Sequence, residues 1–184
     1  MYLVFAILAA FIGGGLSIFM RMELMEPGIQ YMESGHVWNV FTTAHGLIMV
    51  FGAIMPSFVG LANWLIPMMI GAPDMALPRM NNWSFWILPP AFLMLASTLF
   101  MEGGAPAFGW TFYAPLSTTY AAPSVTFFIF AIHILGVSSI MGSINIIATV
   151  MNMRAPGMTY MKMPLFVWTW LITAFLLVAV MPVL

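Results

Sequence analysis

Between Asn63 and Trp86 the chain reads NWLIPMMIGAPDMALPRMNNWSFW, which gathers Asp74, Arg79, Asn63, Asn81, Asn82 and Ser84 into one stretch. Only 5% of the sequence is charged, so this concentration of polarity stands out. A carboxylate leading to amides and hydroxyls suits a water-filled proton path. The acid collects protons from bulk, and uncharged donors and acceptors hold water without trapping a charge. Ser138, Ser139, Ser143 and Asn145 form a second polar group further along. Such residues also hydrogen-bond one membrane helix to another. Residue types alone leave both readings open.

The three histidines are the other candidates for chemistry. His45 lies in FTTAHGLIMVFG, inside an apolar run with no acid nearby in sequence, and Gly46 beside it removes bulk from the helix face. A neutral imidazole there either bonds a neighbouring helix or ligates a metal or heme iron. His133, in FAIHILGVSS, is expected as a satisfied core histidine, and His36, beside Trp38, as a solvated interfacial residue. Trp38, Trp83, Trp86, Trp110 and Tyr113 suit an interfacial aromatic belt. The 20 methionines follow no metal-binding spacing and are expected as packing.

These residues must be positioned by membrane helices. The 184 residues are 63% hydrophobic, with four basic and five acidic side chains, too few to cover a soluble globule. A net charge of −1 argues against nucleic-acid binding, which needs clustered Lys and Arg. Without cysteine there is no disulfide and no thiolate metal site within this sequence. Five apolar runs, approximately 1–20, 37–70, 79–101, 123–152 and 163–184, are long enough to cross a lipid bilayer, which takes about 20 helical residues. The expectation is an all-α, polytopic transmembrane helical bundle. Pro56, Pro67 and Pro89–Pro90 are expected at kinks or helix starts.

Arg79, Arg154 and Lys162 fall in the second and fourth loops, whereas the first loop carries Arg21 against Glu23, Glu26 and Glu33. The positive-inside bias therefore places Asp74 on the cytoplasmic side and the first loop outside. The apolar run LLVAVMPVL reaches the last residue with no polar cap, so a piece of a longer polypeptide, cut at both ends, is expected.

Along TTAHG, NWLIPMMIGAPDMALPRMNNWSFW, GWTFYAPL, HILGVSSIMGSIN and MKMPLFVWTW the sequence resembles subunit I of the heme–copper terminal oxidases, specifically the cytochrome c oxidase branch. That family reduces O2 to water while pumping protons. Its subunit I has twelve helices around a low-spin heme, a high-spin heme and a copper ion (CuB). The resemblance implies that this chain supplies the first five helices. It implies that His45 is one axial ligand of the low-spin heme (heme a) and that Arg21 contacts the heme formyl group. Trp110 and Tyr113 match a segment near the heme propionates. Asp74 matches the entrance acid of a proton-uptake channel. Asn63, Asn81 and Asn145 match its narrow region, and Ser84, Ser138 and Ser139 match the lining above. Glu23 and Gln30, with backbone from Glu26 and Gly28, fall where bacterial members bind a structural calcium. The residues of the binuclear centre have no counterpart in this sequence, so no catalytic residue is assigned here. Implied partners are oxidase subunits II and III and cytochrome c, in a bacterial inner (plasma) membrane.

Within the same superfamily, a ubiquinol oxidase would carry an Asp, a His and a Gln where this chain has Met25, Val37 and Val40. That favours cytochrome c as donor. A proton channel or transporter subunit without heme would keep the amide-lined path but has no use for His45 as a ligand. A purely structural membrane subunit would need neither.

Overall fold

A backbone in lipid must satisfy its own hydrogen bonds, and helices do so within one segment. The computed structural model describes residues 1–102, 104–119 and 122–183. Among them the regular elements are all helical: α1 (Tyr2–Glu23), α2 (Gly35–Leu47), a π-helical segment (Ile48–Ile54), α3 (Met55–Ile70), α4 (Pro78–Trp86), α5 (Leu88–Ser97), α6 (Ser124–Asn152) and α7 (Leu165–Val180), with short 3-10 turns. Among the described residues, five helical stretches are long and apolar enough to cross a membrane: Tyr2–Glu23, Gly35–Ile70, Pro78–Phe100, Ser124–Asn152 and Leu165–Val183.

The helix ends follow from identifiable residues. Ser34 caps α2, its hydroxyl accepting the Val37 N–H at 3.4 Å. Pro78 occupies the first turn of α4, where a missing N–H costs nothing. Pro89 and Pro90 lack the donors that would carry α4 onward without a break, and α5 restarts at Leu88. At the end of α3, Gly71 takes φ +74, the left-handed cap that glycine adopts without strain. There the Ile70 carbonyl accepts the Ala155 N–H at 2.9 Å.

The kink expected at Pro56 takes the form of the π-helical segment just before it. A proline ring crowds the carbonyl four residues back, here Gly52, and the ladder widens by one residue. The Met55 N–H accordingly reaches the Val50 carbonyl.

The chain divides into two compact units. One comprises Tyr2–Ser57 and Phe92–Ala131. In it α1 packs on α2 and on the π segment. Phe108, Phe112 and Phe128 form an aromatic cluster with centroid separations of 4.5, 5.8 and 5.2 Å. The other comprises Met1, Phe58–Ala91 and Ile132–Leu184. Its core joins Ala62, Ile66 and Ile70 of α3 to Ile146 and Val150 of α6 and Val167 and Leu171 of α7. Arg154 closes α6 by donating to the carbonyls of Val150 at 2.7 Å and Met151 at 3.0 Å, and its guanidinium lies 3.8 Å from the Tyr160 ring centroid. His133, expected in the core, is exposed on α6.

Candidate functional site

In the unit that holds the polar cluster, α3, α4 and α6 link Asn63, Asn81, Ser84 and Ser138 through hydrogen bonds. Asn63 Nδ2 donates to Asn81 Oδ1 at 3.0 Å. Ser84 Oγ donates to the Asn81 carbonyl at 2.7 Å, and Ser138 Oγ donates to the Ser84 carbonyl at 2.5 Å. From α6, Asn145 Oδ1 accepts the Leu77 N–H at 2.8 Å. Asp74, at the start of this segment, is exposed and accepts the N–H of Met75 at 2.7 Å. Ser139 is half-buried beside Ser138, and Asn82 is exposed.

Two atoms in this group have no hydrogen-bond partner among the described residues although they are buried: Asn63 Oδ1 and Asn145 Nδ2. Leaving such an atom without a partner costs about 1–3 kcal/mol, so buried amides are normally satisfied by protein or by ordered water. One acceptor and one donor are thus offered by two of the three asparagines that the sequence singled out.

Sequence reading missed Thr149. It lies one turn beyond Asn145 on α6, is completely buried, and accepts the Ala76 N–H at 2.9 Å. Its spacing of four from Asn145 was the available signal.

The other unit holds His45. Its Nδ1 lies 2.8 Å from the carbonyl oxygen of Gly13 on α1. A carbonyl only accepts, so Nδ1 carries a proton, and in the neutral imidazole Nε2 then keeps its lone pair. This is the tautomer and orientation that a histidine needs as a ligand. Gly46 sits against the Trp110 side chain, 3.5 Å from where its Cβ would be. Trp110 is carried by a loop fastened to α2 through Thr43, whose hydroxyl donates to Asn39 O at 2.7 Å and accepts the Gly109 N–H at 2.9 Å. Thr43 was also missed, and nothing in its sequence context marks it. Arg21 is exposed in the last turn of α1, eight residues beyond Gly13 and so roughly 12 Å further along that helix. Tyr113 is exposed as well.

Glu23 is engaged by the loop that follows it. Its carboxylate accepts three backbone N–H groups, from Gln30 at 2.9 Å, Tyr31 at 2.6 Å and Met32 at 3.0 Å. Gln30 directs Nε2 to the Pro27 carbonyl at 3.3 Å. Both carboxylate oxygens therefore close the loop after α1. The described residues contain no group of three His, Cys, Asp or Glu side chains that could hold a metal ion. The Glu23 carboxylate thus staples this loop, and the calcium expected at Glu23 and Gln30 would draw on Gln30 and on the backbone of Glu26 and Gly28 instead of on such a group.

A family model described as Cytochrome C and Quinol oxidase polypeptide I matches residues 1–184. The chain belongs to that family. It is part of a heme–copper oxidase subunit I, an oxidoreductase of the terminal-oxidase type and an integral membrane protein, whose full form carries heme and copper. The residues around His45 fit a heme: the imidazole presents Nε2, the neighbouring position lacks a side chain, and an aromatic loop lies against it.

Proposed function

We propose that this chain belongs to a proton-pumping oxidase that takes electrons from cytochrome c and reduces O2 to water. In this reading it supplies one low-spin heme ligand, His45, and a proton inlet beginning at Asp74. The observation that carries the heme assignment is the 2.8 Å contact from His45 Nδ1 to Gly13 O, which supports Nε2 as the ligating atom. The bound heme would supply one-electron transfer. The chain's own contribution is to orient the imidazole, to pack Trp110 against Gly46 and to offer the Arg21 guanidinium to the formyl group of a heme a.

The inlet is supported by the bonded set Asn63, Asn81, Ser84, Ser138 and Asn145, with Ser139 beside it. Asp74 would take protons from the cytoplasmic solution of a bacterial inner membrane, and water held at Asn63 Oδ1 and Asn145 Nδ2 would pass them inward. Subunits II and III, the high-spin heme and copper complete the enzyme.

Met25, Val37 and Val40 support cytochrome c over a quinol as donor, since the valines cannot hydrogen-bond a quinol and the Met25 thioether is only a weak acceptor. The test is oxygen consumption by the purified full-length oxidase, supplied in turn with reduced cytochrome c and with ubiquinol. Turnover with cytochrome c alone is expected, and turnover with ubiquinol alone would refute the donor assignment.

A further inference from the structure

The backbone between Asp74 and α4 is held from α6 by two buried side chains, Thr149 accepting the Ala76 N–H and Asn145 accepting the Leu77 N–H. The Thr149 hydroxyl is engaged both as donor and as acceptor. Its proton goes to the Asn145 backbone carbonyl at 2.7 Å, with Met75 Sδ a weak alternative at 3.7 Å, and one of its two lone pairs is engaged by the Ala76 N–H. These bonds tie the segment after Asp74 to α6. Asn145 is committed on one side only, with Oδ1 on Leu77 and Nδ2 left over.

We infer that Thr149 is a positioning residue for Asp74: with Asn145 it clasps Ala76–Leu77, and this clasp fixes the carboxylate at the inlet. The inference rests on the proton-inlet reading above. The two bonds hold consecutive amides one and two residues beyond the N–H that binds the Asp74 carboxylate. The segment lacks regular secondary structure to hold it otherwise. Releasing one clasp should therefore let Asp74 swing, while leaving the α3–α6–α7 core intact.

The test uses the intact oxidase carrying Thr149→Val, Thr149→Ala or Thr149→Ser, each checked for assembly by its heme absorption. Amide hydrogen exchange is followed at Met75–Leu77, and proton uptake is followed during the reaction with O2. In Thr149→Val, or in Thr149→Ala if the valine variant does not assemble, exchange at these amides should rise by about tenfold and uptake should slow. Thr149→Ser, which keeps the hydroxyl, should restore both. Combined with Asp74→Asn, Thr149→Val should slow uptake no further, because there is no carboxylate left to position. Wild-type exchange in the valine and alanine variants would overturn the clasp, as would failure of serine to rescue or an undiminished effect in the Asp74→Asn background. If Asp74→Asn alone leaves uptake unchanged, the inlet reading fails, whereas the exchange data still decide whether the clasp exists.

Discussion

An imidazole with one nitrogen bound to a carbonyl presents the other in a fixed direction, and that is the state of His45. Replacing it with alanine in the full-length oxidase should abolish the absorption of the low-spin heme, and an unchanged visible spectrum would remove His45 from the ligand set. The neighbouring Thr43 is nearly fully buried and holds the Gly109 N–H, so Thr43→Val leaves that amide without an acceptor. A loss of about 1–3 kcal/mol follows, seen as a lower melting temperature of the purified enzyme, with Thr43→Ser close to wild type. His45, Asp74 and the asparagines were legible from the sequence because polar groups are rare in so apolar a chain. The threonines were not, because a hydroxyl that bonds a distant backbone amide depends on tertiary approach; local sequence offers nothing at Thr43 and only the spacing from Asn145 at Thr149. The three amide partners of Glu23 were hidden for the same reason.

At the scale of elements, hydropathy made the five spans legible, since each must be apolar over the thickness of a bilayer. Their interruptions were legible only as prolines. Pro56 announced a disturbance, but a π-helical segment of seven residues was not predictable from it, because a kink relieves the same clash. Close helix approach gives a graded prediction. A Cβ at Gly52 would stand 2.5 Å from Phe92 Cζ and 2.9 Å from Ala9 Cβ, both in packed positions. At Gly13 it would meet Met49 Sδ at 2.7 Å, the movable end of a flexible side chain. Gly52→Ala should therefore destabilise the oxidase by about 1–3 kcal/mol, and Gly13→Ala by less. Thermal unfolding of the two variants in one detergent would check the order, and a larger effect at Gly13 would contradict the packing described.

For the molecule as a whole, the distribution of basic residues sets direction. From Arg79, Arg154 and Lys162, the positive-inside rule gives the expectation that the Asp74 loop and the loop after α6 face the cytoplasm. Lys162 is the sole lysine of these 184 residues and is exposed. A membrane-impermeant amine reagent should thus modify it in inverted vesicles and not in right-side-out cells, as read by mass spectrometry of its peptide. The reverse pattern would turn the proton inlet to the wrong side of the membrane. The central claim is that protons enter at Asp74 and that heme binding at His45 is a separate matter. Proton uptake during the reaction of the intact oxidase with O2, compared between wild type and Asp74→Asn, tests it most directly. The account predicts uptake slowed by at least about tenfold, with the low-spin heme spectrum unchanged, because a neutral amide cannot collect protons. Uptake at the wild-type rate would contradict it.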